Sequence, residues 1–317
     1  MTRFAVTSLA ALVVLLGLHA APVNAQTTTS FVSTQGDDAN PCSRLAPCRT
    51  FQSAHDKTFP DGQIMVLDPG SYGPVTIAKS ISIVNDGVGE ASIPVSGGAT
   101  GITVNAPAGA GYVNLRGITI QGIGFGGGRG IVFNSGFSLT IENCVIRNHT
   151  LDGIAFFPST GTSRLLVSDT LVADNGRHGI FVQPSINAST KAVFTRVNVA
   201  NNSQHGIFVT ADASVAIGIN GAAVDSVASG NGAAGFAVSS FVGFSTNFVI
   251  TRSVSEGNQT GLFASSSAAF LRVGQSAITG NTVSWAIPNG GTIFSYGDND
   301  MDGNGDASPA LTVISKK

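Results

Sequence analysis

The pentapeptide His-Gly-Ile-Phe-Val occurs twice, beginning at His178 and at His205, 27 residues apart. Asp152 holds the equivalent place one step earlier, directly before Gly153. A carboxylate and two imidazoles brought together could hold a metal ion or relay protons in hydrolysis. Each histidine is followed three residues later by a phenylalanine, Phe181 and Phe208, and Phe263 stands at the matching place in a later segment. Such rings can stack on the apolar faces of saccharides. A second series, Asp169, Arg196 and Asp225, alternates acid and base and could form an ion-pair ladder. Near the C-terminus, Asp298, Asp300 and Asp302 at alternate positions, then Gly303 and Asp306, start like a calcium loop. Pro309 stands where such a loop needs a bidentate Glu, so the competing reading is a polar last turn of a repeat. In "PCSRLAPC", Cys42 and Cys48 are close enough to close a small disulfide loop. Their spacing is wrong for a zinc site and no second ligand pair lies nearby. Cys144, in "LTIENCVI", reads as a buried small hydrophobe.

All of these candidates depend on what brings distant segments together. Glycines followed by an apolar residue recur at Gly130, Gly153, Gly179, Gly206, Gly235 and Gly261, at intervals of 23, 26, 27, 29 and 26 residues. Periods of that size announce a stacked-repeat architecture. After each glycine, the first and third residues are apolar (Ile154 and Phe156, Ile180 and Val182, Ile207 and Val209), which is the alternation of a strand with one buried face. Two further short apolar stretches precede it, with inward positions such as Ile141, Val167, Phe194 and Val249, then Ile146, Val172, Val199 and Val254. An asparagine follows in nearly every repeat: Asn148, Asn175, Asn202, Asn231, Asn258, Asn281 and Asn304. Asparagine suits tight turns, and stacked copies can pass amide hydrogen bonds from one to the next. Three short strands per circuit without helix-period segments predict an all-β, single-stranded right-handed parallel β-helix with rungs about 4.8 Å apart. "RTFQSAHDKT" places Phe51, Ala54 and Thr58 on one helical face and predicts a short helix plugging the N-terminal end. "GIGFGGGRG" is no nucleotide fingerprint, since no helix follows it, and reads as a turn between strands.

On this register the residues before each glycine and two after it point outward. Asp152, His178 and His205 should therefore lie side by side on neighbouring rungs, with Phe181 and Phe208 as an exposed aromatic pair.

The chain has 317 residues, a formal net charge of −2 and only 11% charged residues, so nothing basic argues for nucleic acid as a partner. Residues 1–25 read as a secretory signal peptide, with Arg3, an apolar run from Leu9 to Leu18 and a small-residue site at Ala25. No later segment is long and apolar enough to span a bilayer, which predicts a secreted protein, periplasmic or extracellular, and not an integral membrane protein. The expected organisation is residues 26–62 with the disulfide loop and capping helix, 63–306 as the β-helix, and 307–317 as an edge strand and tail.

"GDDANPCSRLAPCRTF", "VLDPGSYGPVTI" and the N-x₃₋₄-G-[IFL]-x-[VA] rungs resemble exported bacterial β-helix proteins of the pectin-lyase-like superfamily. That resemblance implies the fold, over roughly Phe31 to Asp306, and leaves activity open, because the superfamily holds lyases, hydrolases, epimerases and adhesins. "LDGI" and "RHGI" are similar to halves of the polygalacturonase motifs, but the Asp-Asp pair and the Arg-Ile-Lys of that family are missing, and Asp152 is the lone carboxylate of its face. Asp169, Arg196 and Asp225 are similar in outline to pectate-lyase chemistry, in which acidic calcium ligands sit near a basic Arg, without that family's further motifs. The expectation is a secreted, non-catalytic β-helix protein that needs no cofactor, or calcium at most, and binds polysaccharide or cell-surface glycan along a sheet face. The alternative is a polysaccharide lyase or glycoside hydrolase with an atypical site.

Overall fold

The computed structural model describes residues 27–185, 187–211, 218–241, 244–306 and 310–316. The expected signal peptide lies outside the described residues. The chain coils into a right-handed parallel β-helix built of three sheets of twelve, nine and nine strands. One rung shows the pattern: Ser138–Glu142 in the twelve-stranded long sheet, Val145–Arg147 in the middle sheet, and Ile154–Phe156 in the glycine sheet. The next rung repeats it with Gly161–Ser168, Leu171–Ala173 and Ile180–Val182. Each strand pairs in parallel with its counterparts one circuit away, so that Ile154, Ile180, Ile207, Phe236, Leu262 and Trp285 form one column.

These columns are the core. Phe133 and Phe156 stack with centroids 4.3 Å apart, and Ile131, Ile154, Ile180 and Ile207 are wholly buried. Burying each such side chain favours the coil by about 1.5–3 kcal/mol, and no rung could do so without its neighbours.

The corners explain the motif. Where the long sheet meets the middle sheet, a single residue in the left-handed region turns the chain: Asn143, Asp169, Arg196, Asp225, Arg252 and Gln275, with φ between 48° and 52°. At the next corner the left-handed residue is Asn148, Asp174, Asn201 or, further on, Gly230, Gly257, Gly280 and Gly303. Directly after it come the ladder asparagines Asn175, Asn202, Asn231, Asn258, Asn281 and Asn304. Each of the first five passes an Nδ2–H to the Oδ1 of the next at 2.9–3.0 Å. Asn148 therefore does not belong to the ladder: it takes the left-handed corner, and His149 occupies the first ladder place, its backbone N–H donating to Asn175 Oδ1. The repeated glycine answers the same ladder. A Cβ on Gly179 would lie 2.2 Å from Val199 Cγ1 and 2.8 Å from Asn202 Nδ2. Asparagine and glycine are thus one device, the glycine vacating the space that the next rung's amide fills.

A hydroxyl ladder runs beside it. Ser226, Ser253 and Ser276 each donate Oγ–H to the carbonyl two residues back and accept an N–H from the preceding rung at 3.1 Å. The corner at Arg252 lies nine residues before its glycine, whereas Asn143, Asp169, Arg196 and Asp225 each lie ten before theirs. That shortening corrects two core expectations: Ile250 and Ser255 point inward, and Val249 and Val254 outward.

At the N-terminal end, helix Phe51–Lys57 lies across the core with Phe51 and Ala54 buried, and Phe51 packs on Tyr72 at 5.1 Å. Thr50 caps the helix by accepting the Ser53 N–H, and Asp38 accepts the N–H groups of Arg49 and Thr50. Cys42 and Cys48 form a disulfide whose loop is hydrogen-bonded to the first strand through Phe31. At the other end, an incomplete rung closes the ladders: Asp298, Asn299, Asn304 and Asp306 accept the N–H groups of Gln275, Ser276, Asn281 and Ser284 at 3.0–3.1 Å.

Candidate functional site

The glycine sheet brings the expected residues into register. Asp152, His178 and His205 stand on successive rungs, and Arg129, at the same offset from Gly130, precedes them. Asp152 is wholly buried. Its Oδ2 accepts from Arg129 Nε at 2.9 Å and lies 3.8 Å from Arg177 Nη1, while Oδ1 accepts the His178 N–H at 3.3 Å. His178 Nδ1 accepts the His205 N–H at 3.3 Å, and His205 Nδ1 accepts the Ala234 N–H at 3.0 Å. Each side chain of this row therefore caps a backbone donor of the following rung, the opposite direction to the asparagine and serine ladders, which cap donors of the preceding one.

Those contacts fix protonation. A ring nitrogen that accepts an N–H carries no proton, so both histidines are neutral with the proton on Nε2. Burial lowers His178 to about 3, helped by the neighbouring His205 and Arg177, and burial lowers His205 to about 4. The two rings stack at 5.3 Å and 12°.

The aromatic row is built as expected and covered more than expected. Phe181 and Phe208 stack at 5.3 Å and 4°, but Phe181 is only 4% exposed, so the expectation of an open pair is corrected. His178, the T-shaped Phe157 and the Arg177 guanidinium, 5.0 Å from the ring centre, cover it. Outward from the coil is not the same as facing water, because large side chains on adjacent rungs 4.8 Å apart bury one another. What remains partly open is a shelf of Phe208, Phe263 and the edge of His205, while the partly exposed Arg129 and Arg177 are drawn to Asp152 on the earlier rungs.

The second series lies at the exposed corners. Arg196 grips Asp169 with two bonds of 2.6 and 2.7 Å, and Asp225 is gripped in the same way by Arg252 at 2.8 and 3.0 Å. Hydrogen bonds from these arginines lower both carboxyls. The expected ladder is thus two separate pairs. Arg252, hidden from the sequence reading by the shortened rung, is the corner residue that follows Asp225. Arg196 is thus held in a two-point ion pair through Nε and Nη2.

The calcium-like stretch is the end cap. Asp298 pairs with Lys316 at 2.5 Å and accepts the Gln275 N–H, Asp300 bridges Ala277 through its backbone, and Asp302 accepts the Gly303 N–H. Among the described residues, no three His, Cys, Asp or Glu side chains converge on a point that could hold a metal ion. Cys144 is buried, and burial raises its thiol to about 11, which makes it inert.

With rungs, ladders and shelf in place, the class of molecule is defined: a right-handed β-helix with the pectin-lyase-like fold. A family described as the right handed beta helix region matches residues 80–223. Among solved structures, pectate lyase Pel9A superimposes with a TM-score of 0.64 at 17% identity, covering 87% of this chain and 76% of that one. A rhamnogalacturonan lyase gives 0.49 at 12% identity over 80% of this chain and 76% of that one. The A-module of the Azotobacter vinelandii mannuronan C-5 epimerase AlgE4 gives 0.41 at 13% identity over 80% and 91%. The first likeness is one of fold, and nothing is drawn from the other two. No curated protein sequence matches the chain.

Proposed function

We propose that this chain is a secreted, non-catalytic β-helix protein that binds glycan on the outer face of its glycine sheet. One observation carries the reading: every acid–base group in the histidine row is already engaged. Asp152 is held by Arg129, Arg177 and a backbone donor, and both imidazoles are neutral acceptors of backbone N–H groups. A hydrolase needs a carboxylate pair free to give and take protons, and this face offers one carboxylate, already bound. Phe208 and Phe263 remain partly open for stacking on a sugar ring. The disulfide between Cys42 and Cys48 supports an oxidising compartment outside the cytoplasm.

The test is a glycan array read with wild type beside a Phe208→Ala, Phe263→Ala double variant. Wild type should bind a subset of glycans, and the double variant should lose at least tenfold. Equal binding by the two proteins, or none by wild type, sinks the proposal. The fold shared with pectate lyase Pel9A keeps a lyase reading in view. It predicts ultraviolet-absorbing unsaturated products from polyuronates, and their absence across pectate and alginate rejects it.

A further inference from the structure

The outer face of the long sheet carries a row of apolar side chains, one from each of four successive rungs: Leu166, Val193, Ala222 and Val249. Leu166 and Val193 are each 41% exposed, and Ala222 and Val249 are half-buried. Asn114 and Thr140 precede the row and Arg272 closes it, so it is a bounded patch. At the strand spacing of a sheet it is about 14 Å long. One exposed apolar side chain needs no explanation, but a contiguous row with a polar rim marks a contact surface.

The two margins of the row differ in charge. Arg164 and Lys191 stand two residues before it, exposed and opposite each other on adjacent strands, a like-charge pairing that costs stability. Neither is in an ion pair among the described residues. Glu142 stands two residues after the row, on the rung before Arg164, and is exposed. It too makes no ion pair among the described residues, because Arg116, opposite it, turns to Asp86 at 2.6 Å. The apolar row is therefore bordered by base on one side and by acid on the other, and the two are not joined within the chain.

We infer that a second copy of this chain covers this face, packed sheet to sheet about a two-fold axis that runs along the apolar row. Such an axis lays each row on its own counterpart, Leu166 over Leu166 and Val193 over Val193. It also carries the basic margin of each copy to the acidic margin of the other. Arg164 then stands about one rung, roughly 4.8 Å, from the point facing Glu142 of the second copy, within reach of a guanidinium. The strands of the two sheets are nearly aligned, as in sheets that interdigitate about 10 Å apart. An axis along the strands would instead set Arg164 and Lys191 against the same residues of the second copy, which is repulsive. The contact is isologous and closes at two copies. It leaves the shelf on the glycine sheet open and does not depend on it.

The test is sedimentation equilibrium with a charge exchange. At about 50 µM, above the micromolar limit of specific interfaces, wild type should be mainly dimeric. Leu166→Lys, a change at an exposed position, should weaken the dimer by roughly tenfold or more by placing a charge in the apolar contact. Arg164→Glu alone and Glu142→Arg alone each bring like charges together across the axis and should weaken it by roughly tenfold. The variant carrying both exchanges restores opposite charges and should return to within about threefold of wild type. The single exchanges move net charge in opposite directions, so a shared weakening with rescue is not a bulk-charge effect. Wild type that is monomeric at this concentration overturns the inference, whether or not it sediments with anionic lipid vesicles. So does a dimer left intact by folded Leu166→Lys, a dimer strengthened by Arg164→Glu, or a failed rescue by the double exchange.

Discussion

Replacing Asn231 with alanine tests the ladder where it is most enclosed. Asn231 is buried, and its Oδ1 accepts both the backbone N–H of Asn202 at 3.1 Å and Asn202 Nδ2 at 2.9 Å. Its Nδ2 donates to Val199 O at 3.1 Å and Asn258 Oδ1 at 2.9 Å. Asn231→Ala leaves two buried donors and two acceptors with lost partners. An orphaned buried group costs about 1–3 kcal/mol, and partial relaxation trims the sum to about 3–5 kcal/mol. Asn304→Ala removes chemically similar contacts at the end of the ladder, where Asn304 is half-buried and water can replace the lost acceptor, so it should cost about 1 kcal/mol. Urea unfolding of the two variants gives the comparison. Hydrogen exchange should localise the Asn231→Ala damage to the rungs carrying Asn202, Asn231 and Asn258, because stability in a solenoid is shared between neighbours. An Asn231→Ala cost no greater than that of Asn304→Ala would refute the view that the buried amides hold the rungs together.

Two further outcomes follow from the histidine row. His149, His178 and His205 have folded values near 4, 3 and 4, below the ordinary 6.5, so between those values the unfolded chain binds more protons than the folded one. Their stabilising effect is complete above pH 6.5 and is lost as pH falls towards 3–4, by up to about 1.4 kcal/mol per pH unit for each histidine. Urea midpoints measured from pH 7 to pH 4.5 should therefore decline, and His178 or His205 resonances titrating near pH 6.5 in the folded state would contradict the tautomers assigned to them. Asp152→Asn removes the charge held between Arg129 and Arg177; since both arginines are partly exposed, the cost should be about 2 kcal/mol rather than the larger loss of a fully buried pair. Thermal unfolding checks it, and an unchanged midpoint would mean that the pair is only a surface contact.

The spacing of glycines was enough to read the coil, because a stacked circuit imposes a period that survives any change of side chain. It also placed Asp152, His178 and His205 in one row. Three things escaped it. Arg129 obeys the same offset but sits beside the glycine-rich segment, where no strand alternation precedes it to draw attention. Arg252 and its neighbours slipped because that rung is a residue shorter before its glycine, which flips the inward assignments of its first two strands while Leu262 and Ala264 stay inward. The burial of Phe181 depends on the Phe157 ring and the Arg177 guanidinium, whose reach no spacing reveals. The stretch "DNDMDGNGD" was half legible: its acids resemble calcium ligands in order, and Asp298 and Asp306 accept N–H groups of the rung beneath.

The ladders have a polarity. At each step of the asparagine and serine ladders, a backbone donor of an earlier circuit waits for an acceptor side chain of the next one: Asn175 waits for Asn202, Val197 for Ser226, and, at the end cap, Gln275 for Asp298. During synthesis, then, the most recently laid circuit always presents a row of unmet amides at its leading edge, and that edge is adhesive towards any strand that can reach it. The short run from Asp298 to Asp306 acts as a stopper that quenches this edge with carboxylates and amides rather than with another circuit. A chain cut short before that run would leave the coil sticky at one end only, the other being plugged by helix Phe51–Lys57, and chains in that condition should associate once through that end rather than grow without limit.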